Sequence, residues 1–277
     1  MKANKFESIV QHNIDNAKEV SACVEKFFNL LGLEPNSEIK NIPQIAGPLF
    51  VSKGFVIIHF PLKDKEIGAF CYKNSLHGGY IILNSSLPLN NVNFALCHEI
   101  CHVCIKEDIG NNNAELYVDD TYLDHENERI ANQFAGEILM PEGQIRRMYE
   151  KFSAEKPPEP GIGRSTIEDV VCKLMSYFEV PFMAVLIRLR ELDIIKYDQD
   201  LKRCLDISQE EISAIFEKYW LDQTVLKPSY RDDYSLLKTL LEKIGEDNVR
   251  RELMYENDLS ATLKTIEQIY KELREDL

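Results

Sequence analysis

Residues 93–102 read NFALCHEICH. Apolar positions recur at helical spacing from Phe94 to Ile105, so the stretch reads as a helix, with Asn90, Asn91 and Asn93 as N-cap candidates. On a helix, side chains four apart share a face, so His98 and His102 can each aim an imidazole nitrogen at one ion about 2 Å away. Glu99, one residue round, is turned too far to ligate. It is placed instead to reach a water on that ion, the position of a general base. This donor set points to Zn2+, one per chain. Two histidines on an amphipathic helix can also be plain surface or capping residues. Here, however, a strand pattern precedes them and a second helix opening with carboxylates follows.

A catalytic zinc needs a third protein ligand and an open fourth position, and that ligand usually comes from a different element. The second helix, from about Glu126 to Leu139 and stopped by Pro141, supplies the candidates. They rank Glu128, then Glu126, then His125. Only Glu128 is followed at i+4 by an amide, Asn132, which can point to the same side. From there it can hold an imidazole by its second nitrogen and fix tautomer and orientation.

Upstream, apolar residues from Ile14 to Leu31 recur at three and four, predicting a helix over residues 13–33 ended by Gly32. The runs Leu49-Val51, Phe55-Pro61, Ile67-Tyr72 and Tyr80-Asn84, punctuated by Gly54, Gly68, Gly78 and Gly79, then predict a small antiparallel sheet. The last strand, with Tyr80, Ile81 and Ile82, lies just before the histidine helix. It is the candidate to pair with an extended substrate backbone by strand addition. Tyr80, His77, Tyr117 and Tyr122 are candidate oxyanion donors by residue type.

Downstream, residues 151–165 are rich in Pro and Gly and read as a loop or linker. Residues 166–197 hold two short helices around a three-residue turn, a helix-turn-helix-like pair. The second of these carries Arg188 and Arg190, but also Glu191 and Asp193. Its Met183, Val185, Leu186, Leu189 and Leu192 form the stripe of a core helix. The pair is therefore read as completing the core of the domain formed by residues 1–150, and direct DNA binding is disfavoured. Residues 198–277 form an acidic helical region with 19 Asp/Glu against 12 Lys/Arg. Its helices, around 231–244 and 260–273, suit partner docking or simple solvated capping.

With 277 residues, 44% hydrophobic and 28% charged, the chain has the composition of an ordinary globular protein. Its first residues lack an apolar signal core, and no segment reaches the roughly eighteen apolar residues of a membrane helix. The expectation is a cytoplasmic protein with no membrane partner. A formal charge of -14 argues against broad binding to nucleic acid. Seven scattered cysteines, an odd number, suggest reduced thiols. Cys97, Cys101 and Cys104 match the spacing of an iron–sulfur motif, but on a helix they fall at i, i+4 and i+7. Cluster ligands of that type sit in a loop, so these three are read as packing residues.

NFALCHEICH and a second segment, ERIANQFAGEILMP at 128–141, together resemble the ImmA/IrrE metallopeptidases. Residues 167–195 are similar to the helical segment that follows in that family, and the resemblance runs from about Ala46 to Ile195. Pro181 stands where a small polar residue is more usual, and Cys97 and Cys101 where small residues or glycine are. The resemblance implies an α+β, minimal zincin-like fold, and makes the glutamate opening the second segment, Glu128, the third zinc ligand. It also implies an endopeptidase that cleaves a helix-turn-helix transcriptional repressor and so derepresses mobile-element or stress genes. The alternatives are a catalytically silent zinc-binding interaction module or a DNA-binding regulator.

Overall fold

The first helix, α1 (Ala3–Leu31), buries Phe6, Val10, Val20, Phe27 and Phe28 along one stripe and stops at Gly32, whose φ of +65° suits a glycine. It starts ten residues before the predicted boundary because Phe6 and Val10 continue the same stripe. The computed structural model describes residues 3–35, 37–74, 78–106, 126–156 and 165–274. Residues 49–51, predicted as strand, belong instead to α2 (Ile42–Ser52). A three-residue apolar run cannot distinguish the two periods. In the longer window, Ile42, Ala46, Leu49 and Phe50 are buried at helical spacing after a proline in the first turn.

Strands β1 (Phe55–Phe60), β2 (Ala69–Asn74) and β3 (Gly78–Asn84) form a sheet in the order β1-β3-β2. β2 and β3 are antiparallel as predicted, but β1 and β3 are parallel. The cause is the short connection after β1. It reverses the chain yet leaves one strand's width between β1 and β2, and β3 fills that gap.

Asn84 makes this crossing possible. It is fully buried at the end of β3, beneath the connection. Its Oδ1 accepts from the backbone N–H groups of Leu62 and Ser86, both at 3.1 Å, and its Nδ2 donates to the carbonyls of Asp64 and Ile67 at 2.7 and 2.8 Å. All the hydrogen-bonding groups of the amide are thereby used on backbone in and beside the connection.

One face of the sheet, with Ile57, Cys71, Ile81 and Leu83, packs into the helical core. There it meets Leu96 and Ile100 of α3 (Leu89–Ile100). Pro88 is the N-cap of this helix, so two of the asparagines predicted as caps serve tertiary contacts instead. Asn90 donates to the Val180 carbonyl at 3.3 Å and Asn93 to Glu179 at 3.2 Å. From Cys101 to Lys106 the helix widens into a π-helix, where an α-helix to Ile105 was predicted.

Next come α4 (Glu126–Leu139), α5 (Glu142–Ala154), α6 (Ile167–Phe178) and α7 (Phe182–Glu191). α5 therefore runs four residues into the stretch read as linker. A capping box of Thr166 and Asp169 opens α6. α7 buries Phe182, Val185, Leu186 and Leu189 against the helical core. Arg188 is buried with them, 3.1 Å from Glu191 and 3.5 Å from Glu137, while Arg190 lies 3.4 Å from Glu7.

Four α-helices follow, with a short 3-10 helix at Gln223–Leu226 among them: α8 (Gln199–Leu205), α9 (Gln209–Lys218), α10 (Tyr234–Arg250) and α11 (Glu256–Leu273). The last two form a hairpin latched to the β1 end of the sheet. Asp233 accepts from the backbone N–H and the ring of His59, both at 3.0 Å, and Tyr270 meets Phe60 edge-on. Among the described residues no single helix is long and apolar enough to cross a membrane.

Replacing Asn84 by alanine should lower the unfolding free energy by about 3 kcal/mol, since four hydrogen bonds to backbone in and beside the connection are lost at once. Urea denaturation checks this. A change within about 0.5 kcal/mol, typical of a neutral surface site, would show that the crossing does not depend on the amide.

Candidate metal centre

Two elements carry the site. His98 lies in the last turn of α3 and His102 in the π-helix, so the i to i+4 step between them crosses from one helical geometry to the other. Such widened turns recur at functional sites. Three side chains brace this one from neighbouring helices. Lys26 of α1 donates to the Ile105 carbonyl, and Lys106 reaches Glu19 of α1 at 3.0 Å and Asn127 of α4 at 2.8 Å. Lys26 thus gives the Ile105 carbonyl a charged donor from a neighbouring helix.

α4 faces α3 and brings Glu128 to the histidines. His98 Nε2 is 3.1 Å from His102 Nε2 and 3.1 Å from a Glu128 oxygen, and His102 Nε2 is 3.3 Å from the other Glu128 oxygen. A tetrahedron with metal–ligand arms of about 2.0–2.1 Å has edges of roughly 3.3–3.4 Å. The two ring nitrogens and the Glu128 carboxylate therefore lie close enough together to hold one metal ion.

Tautomer supports the same conclusion. Asn132, one turn beyond Glu128, presents Oδ1 to His98 Nδ1 at 2.9 Å, so that nitrogen donates and Nε2 carries the lone pair. That lone pair points at a second imidazole nitrogen and a carboxylate. A cation among them lets all three coordinate; without one, the same contacts are hydrogen bonds between the rings and the carboxylate. Burial opposes ionisation of Glu128, but hydrogen bonds from His102 and His98, and their charge, outweigh it and hold the carboxyl well below the usual carboxylate range.

Glu99 sits between the two histidines in sequence, only 5% exposed, in the last turn of α3. Of the alternative ligands, Glu126 is exposed at the start of α4 and outside the cluster. His125, and the oxyanion candidates His77, Tyr117 and Tyr122, lie outside the described residues.

The assignment of Tyr80, Ile81 and Ile82 as a substrate-pairing strand is corrected. β3 is the middle strand, with β1 on one side and β2 on the other, and its backbone groups are used in those two ladders. Strand alternation also turns Tyr80 and Ile82 to the face opposite Ile81, away from α3. Strand order depends on partners distant in sequence, so a local pattern could not supply it.

Residues 52–190 match the family model described as the IrrE N-terminal-like domain, a peptidase family. The chain belongs to this family. The matched span runs from the end of α2 to near the end of α7 and contains His98, Glu99, His102, Glu128 and Asn132. Membership supports a metal-dependent peptidase domain, in agreement with a His98-His102-Glu128 cluster able to hold a metal ion. No curated protein sequence matches the chain. Lys26, Lys106 and Asn127 carry no motif signal of their own; their bracing role follows from how α1 and α4 pack on the π-helix.

Replacing Asn132 by alanine should weaken zinc binding about 10- to 100-fold by releasing the His98 ring, the usual cost of losing a ligand's support. Glu128→Ala should weaken it further. Competition against a chelator of known affinity measures both, and equal affinity in parent and Glu128→Ala would remove Glu128 from the ligand set.

Proposed function

We propose that this protein is a cytoplasmic zinc endopeptidase that cuts a helix-turn-helix transcriptional repressor and so derepresses the genes it silences. The observation that carries the peptidase reading is the convergence of His98, His102 and Glu128 within reach of one metal ion, with the buried Glu99 following His98 in the same helix. The choice of substrate rests on the family resemblance.

When bound, zinc supplies Lewis acidity and a water of lowered pKa. The chain's own residues do the rest. Asn132 keeps the His98 ring in the ligating tautomer. Glu99 takes the proton of the attacking water and returns it to the departing amine, the double duty of a general base at such a site. An extended substrate needs a strand edge to pair with. β2 offers one: it is an outer strand of the described sheet, and it packs alongside α3 at Gly68 and Ala95.

The DNA-binding alternative finds less support, because Arg188 is buried among carboxylates and Arg190 is paired with Glu7. The silent-module alternative differs from the peptidase only in chemistry and is separated from it by the test below.

Incubated with zinc and a candidate helix-turn-helix repressor, the parent should cut at a defined site. Glu99→Gln should bind zinc normally and cut roughly a hundred- to ten-thousandfold more slowly, the range for losing a general base. Electrophoresis and mass spectrometry of the products measure this. A tight complex without cleavage would favour the interaction module, and a mobility shift on operator DNA the regulator.

A further inference from the structure

One face of α1 lies along the π-helix, and its contacts come at helical spacing. Glu19 pairs with Lys106, Lys26 donates to the Ile105 carbonyl, and Phe27 meets Phe134 of α4 edge-on at 5.7 Å. Between the two polar ties lies Cys23, and its sulfur accepts a hydrogen bond from the thiol of Cys101. Cys23 is partly exposed, whereas Cys101 is fully buried. Cys101 also occupies a particular place in the metal site: it precedes His102 directly, and its backbone N–H donates to the carbonyl of His98. None of the seven cysteines is in a disulfide.

We propose that Cys23 and Cys101 are a redox pair, which a peroxide converts to a disulfide that loosens the metal site from the side of α1.

The pair divides the labour of such chemistry. Cys23 is the accessible sulfur, and the Cys101 hydrogen bond lowers its pKa to about 7; burial opposes this, and the neighbouring Lys106 and Lys26 assist. Elsewhere burial pushes the Cys97 and Cys172 thiols far up and the Cys204 thiol up to about 12, which makes those three inert. The Cys23 thiolate attacks one oxygen of hydrogen peroxide. The O–O bond breaks, the leaving hydroxide takes up a proton as water, and Cys23 becomes a sulfenic acid. Cys101 sulfur then attacks the Cys23 sulfur. The S–O bond breaks, a second water leaves with the Cys101 proton, and the S–S bond forms. Two thiols have lost two electrons and one peroxide has become two waters; a dithiol reductant reverses the change.

Closing that bond draws Cys101 toward α1. Cys101 cannot move without carrying His102, its chain neighbour, and straining its own bond to His98. Two ligands at 3.1 Å separation are therefore pulled apart by a change that touches neither ring. The effect on metal rests on the zinc reading above; formation of the disulfide does not.

The test uses the purified full-length chain, reduced and then treated with hydrogen peroxide. Peptide mapping without reductant should show residues 23 and 101 linked, with the link absent in Cys23→Ser and removed by a dithiol. In Cys101→Ala, where the second step is blocked, dimedone should label Cys23. Chelator competition should show zinc affinity falling roughly tenfold on oxidation of the parent, the size of effect expected when a ligand's support is disturbed. It should stay unchanged in peroxide-treated Cys23→Ser. Oxidation that spares Cys23 overturns the pair, and a 23–101 link formed with zinc affinity unaltered overturns its coupling to the metal. If the reduced parent binds no zinc, the zinc reading and the coupling built on it both fail, while peptide mapping still decides whether the pair forms.

Discussion

Two imidazoles and a carboxylate from separate elements are held within reach of a single metal ion in this protein. His98 Nε2, His102 Nε2 and the Glu128 carboxylate approach to 3.1–3.3 Å, and the bond from His98 Nδ1 to Asn132 turns the His98 lone pair inward. A divalent cation among them is coordinated by all three. The surrounding scaffold can be understood as what keeps α3, the π-helix and α4 from relaxing apart when the cation is absent.

That scaffold is mostly apolar, with a few polar ties at decisive places. Phe27 of α1 packs edge-on against Phe134 of α4, two residues beyond Asn132. Arg188 of α7 reaches the Met140 carbonyl at the end of α4 while paired with Glu137 and Glu191, and Asn13 of α1 bonds Glu191 in turn. Burial pushes the Glu191 carboxyl up despite Arg188, a sign of how dry this junction is. The chain Asn13, Glu191, Arg188, Glu137 links α1, α7 and α4 and so sets the helix that carries Glu128. Buried ionic networks of this kind serve specificity of arrangement more plausibly than net stability. On the far side of the sheet, the α10–α11 hairpin is held by Asp233 on His59 and by the stacked rings of Tyr234 and Tyr270, 3.7 Å apart. It lies beyond the residues matched by the family model.

The chemistry of the site was legible in the chain because it is local. An i, i+4 pair of histidines, the glutamate between them, and a second helix with Glu128 and Asn132 one turn apart are periodic features, and periodicity survives in a sequence without its fold. The stripes of α1, α6 and α7 were legible for the same reason, and so was the packing role of Cys97. What tertiary structure decided depends on partners distant in sequence. The parallel pairing of β1 with β3 arises because β3 fills a gap left by an earlier connection, and this removes Tyr80 from the substrate edge. Residues 49–51 became helix because the buried surface beside them rewards a stripe that starts at Ile42. The same dependence applies to Asn90 and Asn93, drawn from capping to the turn between α6 and α7, and to Cys101, met by a thiol 78 positions earlier in the chain. The sequence by itself determined which groups could bind a metal; only the packing of α1, α4 and the sheet decided their separation, their tautomer and the thiol beside them, because distance between elements is a property of the folded core and of no single segment.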